Sequence, residues 1–148
     1  MKVLEVLHTD RVDLALEAAT KEETIQKVAR LFSQGSLLTD EAAFIAAVLE
    51  REIHSTTGVG NGIAIPHGKS TAVTEPAIAF ARLNHEVEWQ SLDEKPVSLV
   101  VMLAIPESEQ GNTHLAILSE IAVKLMDDDV IRKLNNATKE AEIVEILG

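Results

Sequence analysis

The sequence predicts an α/β domain in which helices pack on both faces of a mixed central β-sheet. Segments whose apolar residues recur at helical spacing alternate along the chain with short apolar runs of strand length. The most hydrophobic run, residues 97–105, is rich in β-branched residues and is followed by Pro106, which favours a central strand buried on both faces. With 148 residues, of which 46% are hydrophobic, the chain is long enough for a single domain, residues 1–148, with its own core.

The first predicted elements are a strand and a helix. A half-buried strand is indicated by apolar residues that alternate with polar ones, namely Val12, Leu14 and Leu16. Thr20 and Glu23 then form a capping box, in which the hydroxyl accepts from the third helical amide while the carboxylate reaches back to the cap amide. The helix that begins there is expected to end at Gly35.

A second helix follows, capped by Thr39 or Asp40. Its apolar stripe consists of Phe44, Ile45, Val48 and Leu49. Arg51 falls near its last turn and therefore reaches the edge of the following loop. A cation also stabilises the negative end of a helix in many proteins, so position alone leaves an ordinary structural role for Arg51 open.

Residues 55–69 are the stretch around which the chain is arranged. Small, hydroxyl-bearing and glycine residues lead into a short apolar strand that stops at Pro66, and His67 follows. Proline fixes its own backbone and favours extended geometry before it, while glycines allow a ligand to approach bare backbone, so His67 is expected at a strand end facing a cavity. A tight turn that merely contains a histidine is the alternative.

The charge pattern of this stretch favours an anion as the ligand. Residues 55–74 contain no Asp or Glu, although the chain has 24 of them, and Lys69 lies in the same stretch. The rest of the chain excludes some other ligands. The formal net charge of −11 and the scattered aromatic residues are unsuited to nucleic acid. There are no cysteines for thiolate chemistry, and no stretch long and apolar enough to cross a membrane.

The C-terminal half is predicted to contain three strands and then three helices. Residues 77–83 form an apolar strand, Val87 and Trp89 alternate with polar neighbours as in a strand with one wet face, and residues 93–96 form a turn before the central strand. After a break at residues 111–112, Asn112 or Thr113 caps a helix that has His114 in its first turn. Its predicted stripe consists of Leu115, Leu118, Ala122 and Leu125. Shorter helices are expected near residues 130–134 and after a Thr138 cap.

Three strings of residues resemble a known family. They are Arg51-Glu52, the stretch from Ser55 to Gly68 that contains Gly62-Ile63-Ala64-Ile65-Pro66-His67-Gly68, and Thr113-His114-Leu115. They look like the enzyme IIA domains of the bacterial phosphoenolpyruvate:sugar phosphotransferase system, fructose/mannitol (type 2) class. The likeness extends through residues 80–83, 89–93 and 103–107, where it is greatest to the fructose type, and so covers nearly the whole chain.

The resemblance implies a role for each matched residue. His67 is implied as the phosphoryl acceptor, forming a tele-phosphohistidine, with Arg51 and His114 as supporting groups. Phosphate-binding positions are implied at Thr56, Thr57, Gly58, Gly60 and Gly68. Many relatives have a shorter Ser-Thr-Gly or a Ser-Pro-Thr-Gly string, so which hydroxyl of residues 55–57 contacts the phosphate stays open. Neutral imidazole is a nucleophile without a metal, and we expect no cofactor.

The implied partners are the histidine phosphocarrier protein, which donates the phosphoryl group, and the IIB domain of a sugar-specific IIBC permease, which receives it on a cysteine during sugar uptake. A cytoplasmic protein with no nucleic-acid partner and no direct membrane insertion is expected. Two alternatives remain. The chain is a regulatory, nitrogen-type IIA protein whose phosphorylation state controls partner binding, or a metallohydrolase that uses His54, His67 and His114, which lack the spacing and nearby carboxylate typical of metal ligands.

Overall fold

The computed structural model describes residues 3–33, 35–108 and 113–148, apart from the side chains of Leu4, Thr113 and His114. The strands are β1 (Leu7–Leu16), β2 (Gly58–Gly60), β3 (Ile63–Ala64), β4 (His67–Ser70), β5 (Ala77–Val87) and β6 (Val97–Pro106). The helices are α1 (Val3–Val6), α2 (Lys21–Ala29), which continues into a short 3-10 helix (Arg30–Ser33), α3 (Glu41–His54), α4 (Thr113–Leu125), α5 (Asp128–Asn136) and α6 (Glu140–Leu147).

The strands form one mixed sheet, as predicted, in the order β1-β5-β6-β3-β2, with β4 also paired to β6. Strand β6 is antiparallel to β5 and parallel to both β3 and β4. Its residues 99–106 are all buried, which confirms the prediction of a central strand covered on both faces. The central position of β6 matters for the site because β4, which begins at His67, is held in register by pairing His67 with Leu103.

Helices cover both faces of the sheet, which confirms the predicted fold class. Alternate residues of β6 point to opposite faces, so Val100 and Met102 face one core while Val101 and Leu103 face the other. The first core is closed by residues of α2, the 3-10 helix and α3, namely Ile25, Val28, Phe32, Phe44 and Val48. The second core is closed by residues of α4, α5 and α6, namely Ile117, Ile121, Leu134, Ile143 and Leu147.

The two predicted N-terminal helix caps are present. Thr20 Oγ1 accepts from the Glu23 amide at 3.1 Å, and Asp40 Oδ1 accepts from the Ala43 amide at 3.1 Å, so Asp40 rather than Thr39 caps α3. The capping box differs in one bond, since Glu23 Oε1 accepts from the Ala19 amide instead of the Thr20 amide. At α6, the predicted Thr138 cap is wrong, because the Thr138 hydroxyl donates to Glu142 Oε1 and Lys139 occupies the cap position.

The predicted apolar stripe of α4 is wrong in part. Leu115 and Ala122 are exposed, whereas the residues that pack into the core are Ile117, Ile121 and Leu125. Apolar residues surround much of this helix, so spacing alone does not identify the buried side. The predicted break at residues 111–112 and the Asn112 and Thr113 caps lie outside the described atoms.

The strand predicted to contain Val87 and Trp89 ends earlier than expected. Strand β5 runs without a break from Ala77 to Val87, and Trp89 follows it in an irregular segment. The predicted alternation of burial is nevertheless correct, since Val87 and Trp89 are buried while Glu88 and Gln90 are exposed. Gln90, in this irregular segment, adopts a positive φ of 60°, which is uncommon for a residue other than glycine.

Candidate functional site

His67 lies at the first position of β4, directly after Pro66. Its side chain is half-buried, and its Nδ1 lies 3.2 Å from the carbonyl oxygen of Ile65. A carbonyl only accepts, so this hydrogen bond requires a proton on Nδ1, and the neutral ring then carries its lone pair on Nε2. The sequence placed His67 at the end of the preceding strand; the structure adds that a new strand begins there, which fixes the backbone of the histidine by pairing with β6.

Arg51 and His67 line the same two pockets. One pocket, of about 360 Å³, is also lined by His54 and Lys69, with Glu50 as the acid at its wall. The other, of about 290 Å³, is completed by residues of the loop and of α4, namely Thr56, Thr57, Val59, Ile65, Leu118, Ser119 and Ala122. The predicted proximity of Arg51 to the His67 loop is therefore present, and the two cations beside His67 suit an anionic ligand.

Arg51 is held in place at the end of α3. Its Nη1 donates to the carbonyl oxygen of Ser55 at 2.8 Å, across the point where the helix ends. This bond stabilises the end of the helix, as expected if Arg51 has a structural role there. Arg51 also lines the pocket that contains His67. Both roles are compatible with a planar group that carries five N–H donors.

Gly68 allows α3 to lie close to β4. A Cβ atom at this position would be 2.7 Å from Val48 Cγ2 and 3.2 Å from the Val48 backbone nitrogen. No larger residue fits without moving the helix. Because Arg51 is one turn beyond Val48 on α3, this close packing sets how near Arg51 comes to the strand that carries His67.

The polar groups of Thr57 point into the protein. The Thr57 amide donates to Glu52 Oε2 at 3.3 Å, its hydroxyl donates to Glu52 Oε1, and the Trp89 indole N–H reaches the same hydroxyl at 3.4 Å. Lys21 completes the arrangement with its Nζ 2.7 Å from Glu52 Oε2. We refer to Lys21, Glu52, Thr57 and Trp89 as the Glu52 cluster.

Thr56 and the loop glycines determine the backbone path of residues 56–60, next to the Glu52 cluster. The Thr56 hydroxyl donates to the Trp89 carbonyl at 3.1 Å and accepts from the Gly58 amide at 3.1 Å. Gly60 has a φ of +103°, which strongly favours glycine, and it lies beside the Asp93 carboxylate. Direct contact of Thr56, Thr57, Gly58, Gly60 or Gly68 with a phosphate stays a prediction.

Sequence reasoning did not assign a role to Glu52. A signal was nevertheless present, because Phe44, Val48 and Glu52 recur every fourth residue on α3 and so share its buried face. The Glu52 side chain is only 5% exposed. A buried carboxylate is costly unless it is paired and hydrogen-bonded, so its place on an apolar face indicates a specific set of partners.

The second predicted histidine is only partly described. His114 belongs to the first turn of α4, but its side chain lies outside the described atoms. Further along α4, Leu118, Ser119 and Ala122 line the pocket that contains His67. The helix that carries His114 therefore passes the site, and a supporting role for its imidazole stays a prediction.

The described residues contain neither a candidate metal site nor a helix that could span a membrane. Within residues 3–33, 35–108 and 113–148, no group of three His, Cys, Asp or Glu side chains is placed to hold a metal ion. None of the helices in the same part of the chain is both long and apolar enough to cross a membrane.

Comparison with curated proteins places these features in a known group. Residues 5–148 match the family described as "Phosphoenolpyruvate-dependent sugar phosphotransferase system, EIIA 2". The chain is 39% identical to the fructose-specific EIIABC component of Bacillus subtilis over all of its 148 residues, but it spans only 23% of that longer protein. It is 38% identical over 137 residues to the fructose-specific EIIA component of Haloferax volcanii, covering 93% of this chain and 88% of that one.

Solved structures give the same grouping. The nitrogen regulatory protein IIA-Ntr of Neisseria meningitidis superimposes with a TM-score of 0.92 at 29% identity, covering 99% of both chains. The Escherichia coli mannitol enzyme IIA, solved in complex with phosphorylated enzyme IIB, gives a TM-score of 0.79 at 25% identity over 96% of this chain and 98% of that one. Since the family match covers nearly the whole sequence and the fold agrees, the chain belongs to the EIIA type 2 family of the phosphoenolpyruvate-dependent sugar phosphotransferase system.

Proposed function

We propose that His67 carries a phosphoryl group between two proteins of the phosphotransferase system. Nε2 of His67 attacks the phosphorus of the phosphohistidine on the histidine phosphocarrier protein, the donor P–N bond breaks, and a new P–N bond forms at Nε2. A cysteine thiolate of a sugar-specific IIB domain then takes the phosphoryl group from His67 during sugar uptake. The observation that carries this proposal is the bond from His67 Nδ1 to the Ile65 carbonyl, which directs the nucleophilic lone pair to Nε2.

Arg51 and the surrounding charges support the same chemistry. Phosphoryl transfer depends mainly on positioning and on donors that face the equatorial oxygens, and a guanidinium can bind two of those oxygens at once. Arg51 lines both pockets that contain His67, and Lys69 lines one of them. We propose that Arg51 contacts the phosphoryl group directly, that His114 is a supporting donor, and that residues 56–60 with Gly68 form the wall of the phosphate site.

The likeness to an enzyme IIA solved with its phosphorylated enzyme IIB supports a IIB domain as the acceptor. The fructose-specific relatives support sugar uptake as the setting. A regulatory role is the second candidate, because the structure with a TM-score of 0.92 is a nitrogen regulatory protein. In that role His67 would still be phosphorylated, and the phosphorylation state would control the binding of another protein.

A transfer assay tests these proposals. Phosphoenolpyruvate, enzyme I and the histidine phosphocarrier protein are incubated with the chain, which is then mixed with candidate IIB domains. We expect acid-labile, base-stable labelling of the wild type, no labelling of His67→Ala, and loss of the label to a fructose-type IIB domain. Full labelling of His67→Ala would overturn the assignment. Labelled protein that passes phosphate to no IIB domain would favour the regulatory role.

A further inference from the structure

The Glu52 cluster lies beneath the loop that lines the phosphate site, yet the proposed reaction uses none of its charged groups. We propose that Glu52 is a positioning residue for phosphoryl transfer. Its carboxylate fixes Thr57, and thereby holds the loop and the adjoining Arg51 in the arrangement that faces His67. This inference rests on the proposed function of His67 and assigns no chemical step to Glu52 itself.

Glu52 binds Thr57 through both of its carboxylate oxygens. Each carboxylate oxygen binds a different group of Thr57, with Oε2 accepting from the amide and Oε1 from the hydroxyl. Oε2 also pairs with Lys21, whose side chain is only 22% exposed. Because an unpaired charge at this depth is strongly unfavourable, the cluster is stable only when its members keep this arrangement, and the arrangement determines where Thr57 lies.

The cluster also connects elements that are distant in sequence. Lys21, in the first turn of α2, donates to the Trp89 carbonyl at 3.2 Å and lies 5.4 Å from the centre of the Trp89 ring. Thr56 donates to that same carbonyl. Glu52 directly follows Arg51 at the end of α3, so a shift of the helix end moves both side chains. Through these contacts α2, α3 and the segment after β5 all determine the position of the loop.

Electrostatics and positioning predict effects of opposite sign. Glu52 is an anion below a site that is proposed to receive a phosphoryl group with a charge near −2. Replacing it by a neutral residue removes a repulsive charge and leaves Lys21 without its anionic partner, so charge alone predicts faster phosphorylation. Loss of the Thr57 anchor predicts slower phosphorylation. The direction of the change therefore distinguishes a positioning role from a purely electrostatic one.

The variant Glu52→Gln makes this test, because glutamine has the same size but a single acceptor oxygen. We expect the rate of phosphorylation by the phosphocarrier to fall by roughly tenfold or more, measured with protein shown to be folded by circular dichroism. The rate for Thr57→Val, which lacks the hydroxyl, should fall in the same direction, and the rate for Thr57→Ser, which keeps the hydroxyl, should fall less. Trp89 is the single tryptophan, so its fluorescence should change in the first two variants and not in the third.

A matched control separates positioning from stability. Arg82 is another half-buried charged residue with backbone partners, but its contacts lie with β1 and the end of α5. Arg82→Lys should therefore be less stable and still be phosphorylated at the wild-type rate. Phosphorylation of folded Glu52→Gln at or above the wild-type rate would overturn the positioning role. If that variant fails to fold, equal rates for Thr57→Val and Thr57→Ser would overturn it instead. Absence of labelling in the wild type would instead contradict the function proposed for His67.

Discussion

Arg51 and Arg82 are both half-buried and both lie in strings that resemble the family, but their surroundings differ. Among the described residues, Arg51 donates to one backbone carbonyl, that of Ser55, and it borders two open pockets with His67. Arg82 points into the protein and donates to four carbonyl oxygens, those of Leu14, Leu134, Asn135 and Ala137. The contacts place Arg51 beside His67 and Arg82 against β1 and the end of α5, so residue type alone does not determine the surroundings of an arginine.

Of the two arginine variants, Arg51→Lys should have the larger effect on phosphoryl transfer. Lysine keeps the positive charge but loses the planar fork, so we predict that phosphoryl transfer slows by about 10- to 100-fold, which corresponds to about 1.4 to 2.8 kcal/mol of transition-state stabilisation. Stability should barely change, since one exposed backbone bond is involved. Single-turnover transfer from the phosphocarrier measures the rate, and thermal unfolding measures stability. A wild-type transfer rate in this variant would indicate that Arg51 has only a structural role at the end of α3.

The variant Arg82→Lys should give the opposite pattern. A lysine cannot reach carbonyls on both β1 and α5, and the carbonyl oxygens at the end of α5 lose their donor, so we predict a loss of about 2 kcal/mol in the free energy of unfolding. The transfer rate of folded protein should be unchanged, because Arg82 pairs with Leu99 on β6, four residues from the partner of His67. Urea unfolding and the transfer assay check the two expectations. A slowed transfer step in folded Arg82→Lys would contradict the division of roles between the two arginines.

Some contacts of the site could be predicted from the sequence, and others could not. The order of Arg51, the glycine-rich loop and His67 along the chain was enough to predict that they meet. The pairing of Thr56 and Thr57 with Trp89, more than 30 residues later, could not be predicted, because it depends on where β5 ends and on the positive φ of Gln90. Strand β4 was also missed, because its residues have low intrinsic strand preference and are ordered by pairing with β6.

Helix α4 illustrates a different limit. Both of its apolar sides satisfy helical spacing, and the predicted stripe combined Leu125 of the core with Leu118 and Ala122 of the His67 pocket. The prediction omitted the other two core residues. Ile117 and Ile121 pack in the core, while Leu118 and Ala122 line the His67 pocket. Apolar residues that line an open pocket and apolar residues that face a core have the same helical spacing, so only the packed structure separates them.

The variant Gly68→Ala tests how the packing of α3 on β4 affects the site. Its methyl group would overlap Val48, so we predict a loss of about 1 to 2 kcal/mol in stability together with a severalfold slower transfer, as α3 and Arg51 move away from His67. Gly35→Ala is a useful control, because it also adds a methyl group to a glycine, but a Cβ there meets no atom within 4 Å and only the φ of +78° disfavours alanine. It should lower stability without changing the transfer rate. An unchanged transfer rate in Gly68→Ala would show that the spacing of α3 and β4 is not critical.

The smallest effect is expected for replacement of Asp93, which binds the Asn61 amide of the glycine-rich loop at its exposed side. Its carboxylate accepts from the Asn61 and Lys95 amides, and the bond from Asn61 is the main reason that the pKa of Asp93 is lowered from its ordinary value of 3.8. Because the folded pKa is below the unfolded one, the stabilisation is fully present above about pH 4 and is lost as the pH falls through the lowered pKa. The stability difference between wild type and Asp93→Asn should therefore shrink below pH 4. A difference that is constant from pH 7 to pH 3 would contradict this anchor.

The most direct test of the central claim is the identity of the phosphorylated nitrogen. The bond from His67 Nδ1 to the Ile65 carbonyl predicts that the phosphoryl group is attached to Nε2. A nitrogen-15 NMR spectrum of the histidine rings, recorded after phosphorylation by the phosphocarrier, detects phosphorus coupling to one ring nitrogen. We predict coupling to Nε2 of His67 while Nδ1 keeps its proton. Phosphorus coupled to Nδ1, or to a different histidine, would contradict the account.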